Sequence, residues 1–272
     1  MNRKVIGWNI NQRSGLGKEI PDLFFQELLE QDSDIIVLTE VVKNDSFPVF
    51  FQKMRKAGYE SATSKNETTN EVCILWKAEL YQHLAVDDSL VTAIENDNSN
   101  YLSVQLQDHE GKTFNVVGYR IRVGNKETTD EYEGRARQMR IVTEKLAALN
   151  GPALVVTDSN NLRRGATIKE WNLSVLDSML ADVGFIRNTP AGSSIFAETA
   201  RSTEYEFAED HIVTKGVEVR DVEYDRNFVK RDPDVYIWGR DFTKHIEGTS
   251  RNEYIPVGYP DHAIVKGYYE IA

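Results

Sequence analysis

Polar residues that could carry out chemistry stand at the ends of short apolar runs, where the strands of a sheet would bring them to a common edge. They are Asn9, Glu40, Asp158, Asn160, Asp210, Asp261 and His262. Carboxylates gathered at one place are costly unless a cation neutralises them. Oxygen ligands without thiolates suit Mg²⁺, Mn²⁺ or Ca²⁺, and a His beside an Asp suits a general base that activates water. This combination favours metal-assisted hydrolysis of a phosphoester.

Each of these residues is weak support when it is taken alone. A carboxylate or amide at the end of a strand is more often a turn former or a helix cap. An Asp-His pair such as Asp261-His262 is more often a structural or surface feature. The hypothesis therefore depends on all of the residues occurring together, in one order along the chain.

The elements that would position these residues are short strands alternating with helices. Apolar runs rich in β-branched residues predict strands over Lys4–Trp8, Asp34–Thr39, Val72–Trp76, Tyr101–Leu106, Thr113–Tyr119, Ala153–Thr157, His211–Thr214 and Ala263–Val265. Apolar residues at helical spacing predict helices over Pro21–Leu29, Arg135–Leu149 and Ile168–Leu180. The turn Asp108–Gly111 lies between two of the strands and predicts a hairpin.

No Pro, Gly or Ser linker divides the chain. The mixture of hairpins and helix-linked strands predicts one α/β domain over residues 1–272, with sheets inside and helices outside. The stretch Asp225–Gly258 is the least regular and is rich in charged and aromatic residues. We expect it to form long loops near a site.

Composition limits the classes of partner and location. The formal net charge of −11 disfavours loose binding of polyanions, but it does not exclude an enzyme whose bound cations contact the phosphate. Cys73 is the single cysteine, so the fold does not depend on an oxidising compartment. No apolar stretch approaches the roughly 20 residues of a membrane span. We expect a cytoplasmic protein, although a secreted protein without its signal would look the same.

Short segments in this order resemble the endonuclease/exonuclease/phosphatase superfamily, to which pancreatic deoxyribonuclease belongs. The segments are Trp8–Ile10, Ile36–Val41, Thr157–Asn160, Glu209–Val213 and Pro260–Val265. The segment Thr157–Asn160 resembles the family's Gly-Asp-Phe-Asn, with the Asp and the Asn kept. The start of Pro260–Val265 resembles the family's Ser-Asp-His. The resemblance covers nearly the whole chain.

The resemblance implies a fold and a metal site. The fold would be a four-layer sandwich, in which two packed mixed β-sheets are flanked by helices. Glu40 would bind Mg²⁺ or Mn²⁺, with Asn9 close by on the phosphate side. Asp261 would bind the metal or orient the ligands around it.

The resemblance also implies catalytic roles. Asp158 and Asn160 would hold the attacking water and the scissile phosphate. His262 would be the general base or would stabilise the transition state, and Asp210 would hydrogen-bond its ring and fix the tautomer.

One position departs from the family pattern. Many members carry a second His at the end of the hairpin strand, where this chain has the segment Val116–Ile121. Alignment on Gly118 puts Arg120 there, and a shift by one residue puts Tyr119 there, as in abasic-site endonucleases. Arg120 could clamp a phosphate with two donors, or it could be a solvated strand-end residue. Because side chains alternate along a strand, only one of the two is expected to reach the substrate.

Two classes of function remain open on the sequence alone. The leading class is a hydrolase of a phosphodiester or phosphomonoester, acting on nucleic acid or on a small phosphorylated molecule or lipid headgroup, with no obligate protein partner. The rival is a non-catalytic protein of the same fold that binds a phosphorylated ligand. The missing second His and Ser159, which stands where the family has an aromatic residue, motivate the rival. The retained acidic and amide residues argue against it.

Overall fold

The structure is a computed structural model, and it describes the chain in separate ranges. The described residues are 3–11, 20, 22–65, 71–88, 100–123, 128–161, 167–195, 207–228, 242–245, 252–255 and 262–271. The strands are β1 Arg3–Asn9, β2 Ile35–Val41, β3 Tyr59–Thr63, β4 Glu71–Lys77, β5 Tyr81–Asp87, β6 Asn100–Asp108, β7 Thr113–Arg120, β8 Ala153–Asp158, β9 Ile186–Asn188, β10 Asp210–Lys215, β11 Val217–Asp225, β12 Phe242–His245, β13 Asn252–Ile255 and β14 Ile264–Ile271. The helices are α1 Asp22–Gln31, α2 Ser46–Lys56, α3 Thr129–Ala147 and α4 Leu173–Ala181.

The strands form two six-stranded mixed sheets. The first sheet has the order β11-β14-β1-β2-β4-β3, and the second has the order β5-β6-β7-β8-β10-β9. Each sheet contains one parallel pair, β1 with β2 and β7 with β8, and its other pairs are antiparallel. Strands β12 and β13 pair separately.

The two sheets pack face to face around a shared apolar core. From the first sheet Val37 and Ile74 enter this core, and from the second sheet Val116 and Leu154 meet them. Because side chains alternate along a strand, each sheet also has an outer face that must be covered. All residues of β2 are buried, as expected for a strand covered on both sides.

Helices cover both outer faces. Phe24 of α1 and Met54 of α2 pack on the first sheet beside Ile36. Met139 of α3 and Leu176 of α4 pack on the second sheet. The layers are therefore helix, sheet, sheet and helix, which confirms the predicted four-layer sandwich. Among the helices of the described ranges, none has both the length and the hydropathy that crossing a membrane requires.

Two glycines permit the close approach of the sheets. A Cβ atom on Gly7 would lie 2.1 Å from Cγ1 of Val156 in the opposite sheet. A Cβ atom on Gly118 would lie 2.5 Å from Cγ1 of Val72 and 2.7 Å from Cγ1 of Val37. Real Cβ atoms do not tolerate such separations, so any larger residue would push the sheets apart.

Substitution Gly118→Ala is therefore expected to destabilise the fold by about 1–3 kcal/mol, the usual cost of overpacking a core. The matched control is Gly267→Ala. Its Cβ would lie 3.1 Å from Cδ1 of Ile212, a longer separation than those at Gly118, so its free-energy cost should be smaller. Urea unfolding of both variants measures the difference. An equal free-energy cost at the two positions would contradict close packing at Gly118.

Helix ends differ from the sequence-based boundaries for local reasons. Helix α3 begins before the predicted Arg135, because Asp130 and Glu131 stabilise its first turn through the helix dipole. Helix α4 begins later than the predicted Ile168, where Oδ1 of Asn172 accepts the backbone N–H of Val175. The pattern also missed α2 and the four edge strands β3, β5, β9 and β11.

The prediction of long loops over Asp225–Gly258 was wrong in one part. This stretch contains the antiparallel pair β12 and β13, joined in register from Phe242 opposite Ile255 to His245 opposite Asn252. Much of the rest of the stretch lies outside the described residues.

Candidate active site

The polar strand-end residues within the described ranges converge where the two sheets meet at one end of the sandwich. In the second sheet, Arg120 ends β7 and Asp158 ends β8, and the two are register partners. Asp210 begins β10 and pairs with Asp158 from the other side. The first sheet contributes Asn9 at the end of β1 and Glu40 near the end of β2. Polar residues that are far apart in sequence, at the ends of different strands, therefore form one cluster in space.

Asp158 is the centre of this cluster. Its Oδ2 accepts the Asn9 amide at 2.8 Å and Nε of Arg120 at 3.1 Å. Its Oδ1 accepts the backbone N–H of Asn160 at 3.0 Å. The side chain is fully buried, so these bonds replace water around the carboxylate. They also join the first sheet to the second through Asn9.

The guanidinium of Arg120 lies between carboxylates from both sheets. Its Nη2 contacts Oε1 of Glu40, and its Nε contacts Asp158. Burial disfavours the charged guanidinium, but the charges of Glu40 and Asp158 outweigh this and raise the pKa of Arg120. Its remaining nitrogen Nη1 is buried and finds no hydrogen-bond partner among the described residues. One donor is therefore available for an anionic ligand.

Tyr119 lies on the opposite face of β7, which corrects the expectation that it contacts substrate. The side chain is completely buried in the core under α3, beside Met139. The alternation of side chains along β7 sends Tyr119 away from the site and Arg120 into it. Burial raises the pKa of the Tyr119 hydroxyl, so this group holds its proton. Of the two residues, Arg120 is the one whose side chain faces the site.

Glu40 reaches Arg120 from a strained backbone. Its φ is 55°, a left-handed conformation that residues other than Gly adopt at a cost of about 1–3 kcal/mol. The pairing of β2 with β4 also shifts register between Leu38 and Val41. Such bulges redirect side chains near functional sites. The distortion turns a carboxylate toward the junction of the sheets, where it is buried.

His262 lies two residues before the start of β14 and contacts the second sheet. Its Nδ1 is 2.8 Å from Oδ2 of Asp210, within the predicted hydrogen-bonding reach. Its Nε2 is 3.3 Å from the amide nitrogen of Asn9, and its backbone carbonyl accepts the Trp8 indole N–H. Since Asp210 accepts and the Asn9 amide donates, the bonding favours the tautomer with the proton on Nδ1. Nε2 is then the basic nitrogen.

The loop after Asp158 is held by residues that sequence analysis did not assign to the site. Asn160 has a φ of 45°, and its amide donates to the carbonyl of Ile121. The carbonyl of Asn160 accepts Nη1 of Arg135 at 2.9 Å and the indole N–H of Trp171 at 3.2 Å. The position of Arg135 in a predicted helix gave no signal of this contact. Arg135 is therefore a positioning residue for Asn160.

Ser159, the departure from the family's aromatic residue, links two strands. Its backbone N–H and its Oγ both donate to the carbonyl of Glu209, at 2.7 and 2.9 Å. Its Oγ also accepts the Asn161 amide, which approaches Nε2 of the buried His211. The serine thus fixes the end of β8 to the start of β10, and its presence does not disrupt the site.

The crowding of carboxyl groups shifts their proton affinities. Burial raises the pKa of the Asp210 carboxyl to about 6, while the neighbouring His262 acts in the opposite direction. Burial raises the pKa of the Glu209 carboxyl to about 8, and the charge of Asp158 adds to this. Both carboxyl groups therefore bind their protons more tightly than a free carboxyl group does. No sequence pattern indicated a role for Glu209, although it directly precedes Asp210.

The oxygen donors of the site fit a hard divalent cation. Mg²⁺ usually keeps several waters and is held by one or two carboxylates with substrate phosphates. Glu40 offers a carboxylate and Asn9 an amide oxygen, which also accepts the backbone N–H of Asn11. No group of three or more His, Cys, Asp or Glu side chains in the described ranges is placed to hold a metal. Asp261, the other predicted metal ligand, lies outside the described residues.

Comparison with known proteins identifies the fold. No protein-family model and no curated protein matches the chain. An endonuclease/exonuclease/phosphatase from Bacteroides vulgatus is 14% identical, with 100% of both chains covered and a TM-score of 0.67. An AP endonuclease from Archaeoglobus fulgidus is 15% identical, with 99% of this chain and 100% of that chain covered and a TM-score of 0.65.

A mannosyl-6-phosphatase from Bacteroides thetaiotaomicron is 14% identical, with 99% of this chain and 100% of that chain covered and a TM-score of 0.61. Structural similarity at such low sequence identity establishes the architecture, but it does not assign an activity. Two mixed sheets between helices, matched along the whole chain, show that this protein has the endonuclease/exonuclease/phosphatase fold.

Proposed function

We propose that the protein hydrolyses a phosphoester by attack of water, with His262 as the general base. The observation that carries the proposal is the continuous chain of contacts from Asp210 through His262 and Asn9 to Asp158. It joins an oriented imidazole to a buried carboxylate across the two sheets. A general base of this kind contributes about 10²- to 10⁴-fold to a rate.

The proton movement follows from the imidazole orientation. Asp210 accepts the Nδ1 proton at 2.8 Å, which leaves the lone pair of Nε2 directed toward Asn9 and the site. A water that replaces the long 3.3 Å contact of the Asn9 amide gives a proton to Nε2, and the charge of Asp210 stabilises the resulting imidazolium. Asp158 and Asn160 orient the water and the scissile phosphate.

The phosphate is bound by donors that surround this base. Nη1 of Arg120 is the buried donor with no hydrogen-bond partner among the described residues, and it suits a phosphate oxygen. Asn160 supplies an uncharged donor beside it, and Asn9 lies next to the phosphate position with its amide N–H groups directed to Asp158 and His262. Arg120 stabilises negative charge and does not release a proton near neutral pH.

Dependence on Mg²⁺ or Mn²⁺ is part of the proposal. Glu40 and Asn9 would hold the ion, with Asp261 as a further ligand from outside the described residues. When bound, the ion would neutralise negative charge on the phosphate. Support comes from the donor chemistry and from the fold, which the matched nuclease and phosphatase share.

The proposed substrate is a phosphoester in a nucleic acid or in a small phosphorylated molecule. Similar structures include an AP endonuclease and a mannosyl-6-phosphatase, so the fold is compatible with both classes. The net charge of −11 favours a compact substrate over long duplex DNA. We further propose a cytoplasmic location, because the single Cys73 is buried and the fold needs no disulfide.

The rival function is phosphate-ligand binding without catalysis. The contact between Arg120 and Glu40 favours it, because the predicted metal ligand already has a cationic partner. The Asp210–His262 pair argues against it, since binding alone needs no oriented base. Turnover is the measurement that separates the two functions.

The test is an assay of plasmid DNA, RNA, bis(p-nitrophenyl) phosphate and inositol phosphates in parallel. We expect hydrolysis of at least one substrate, its loss in excess chelator and its return with Mg²⁺ or Mn²⁺. Glu40→Gln should raise the metal concentration needed, while Glu133→Gln, on the exposed face of α3, should not.

Full activity in excess chelator would contradict the metal requirement. Phosphate binding without turnover of any of the four substrates would favour the rival binding function.

A further inference from the structure

Arg120 holds the carboxylate that the metal would need. Its Nη2 contacts Oε1 of Glu40, and the side chains of Arg120 and Glu40 are only 5% and 9% exposed. Its Nε is anchored 3.1 Å from Asp158, its register partner on β8. The guanidinium is thus a buried positive charge between carboxylates of the two sheets.

A divalent cation at Glu40 would lie next to this guanidinium. Like charges repel strongly where burial removes the screening by water and salt. Each cation alone is attracted to Glu40, but contact of both with Glu40 at the same time is unfavourable because the two cations repel each other. In a family member with a neutral His at the position of Arg120, this conflict would not arise.

We propose that the buried ion pair of Arg120 with Glu40 competes with divalent metal ions for this carboxylate. The metal then binds only in molecules whose Arg120 has left Glu40. The apparent affinity falls by the fraction of molecules in which the carboxylate is released. The buried Nη1, which lacks a hydrogen-bond partner among the described residues, is the atom by which a phosphate can draw the guanidinium away.

This inference concerns the same site as the proposed hydrolysis, and its test measures no turnover, so the two can fail separately. The experiment is a titration of the full chain with Mn²⁺ alone, followed by calorimetry, after chelator treatment and desalting. The variants are Arg120→Met, Arg120→Lys and Arg120→Met combined with Glu40→Gln.

Arg120→Met should bind Mn²⁺ about tenfold more tightly than the wild type, as expected if Glu40 is released in about a tenth of wild-type molecules. Arg120→Lys keeps the charge and should stay near the wild-type affinity. Glu40→Gln should remove the gain of Arg120→Met. The lysine variant therefore separates the effect of charge from the effect of side-chain volume.

Equal Mn²⁺ affinity of the wild type and Arg120→Met would overturn the proposal, as would a gain that survives Glu40→Gln. If Arg120→Met does not fold, the wild type still provides a test. Inorganic phosphate, which would draw the guanidinium away from Glu40 through Nη1, should tighten Mn²⁺ binding by the wild type up to about tenfold, and an unchanged Mn²⁺ affinity in the presence of phosphate would overturn the proposal.

Discussion

Replacing His262 by Ala is expected to lower turnover by about 10²- to 10⁴-fold, because the variant loses the base that accepts a proton from water. The fold should be retained at a cost of about 1–3 kcal/mol, because the buried Asp210 loses its ring partner while the Trp8 indole still donates to the backbone carbonyl of residue 262. The measurement is kcat on the substrate found in the assay panel, together with the thermal unfolding midpoint.

Asp210→Asn tests whether the imidazole must be oriented. The amide can donate as well as accept, so it no longer selects the tautomer with the proton on Nδ1. We expect kcat to fall while KM changes little. His83→Ala is the control, because His83 is an exposed histidine on β5 paired with Glu60. Wild-type turnover by His262→Ala would remove the imidazole from the mechanism.

Arg120→Ala is expected to lower turnover by about 10²- to 10³-fold, the scale seen when one donor to a developing oxyanion is lost. It should also destabilise the fold by about 3–5 kcal/mol, because Glu40 and Asp158 lose their buried partner. Activity must therefore be measured below the unfolding transition of the variant. Arg120→Lys should retain part of the turnover, since it keeps the charge and loses the planar fork.

Tyr119→Phe is the matched control on the same strand. Its buried hydroxyl lies in the core under α3 and interacts with the Thr157 hydroxyl, so its removal leaves the bonds of Arg120 and Asp158 in place. We expect turnover close to wild type and little change in stability. A crippled Tyr119→Phe beside an active Arg120→Ala would reverse the assignment and place the tyrosine at the substrate.

Arg120 has two separable effects in these experiments. Its removal should strengthen Mn²⁺ binding and weaken turnover, because the same guanidinium competes for Glu40 and binds the phosphate. A side chain that only stabilised the fold would weaken both. The opposite directions of the two changes distinguish a functional cation from a structural one.

The architecture could be anticipated from local patterns in the chain. Runs such as Asp34–Thr39 and Ala153–Thr157 are long enough for strands and apolar enough to be covered on both faces. The polar residues that follow such runs had to lie at sheet ends, and a parallel pair brings Arg120 next to Asp158. The alternation of side chains also required Tyr119 and Arg120 to face opposite ways.

The tertiary structure decided what local patterns left open. Which of Tyr119 and Arg120 faces the site depends on where the second sheet meets the first, and the contact with Glu40 crosses that junction. Glu209 and Arg135 gave no sequence signal, because their roles come from a neighbouring strand end and a loop carbonyl. Periodicity along a chain determines which face a side chain occupies, whereas the partner it meets there depends on long-range packing between the sheets.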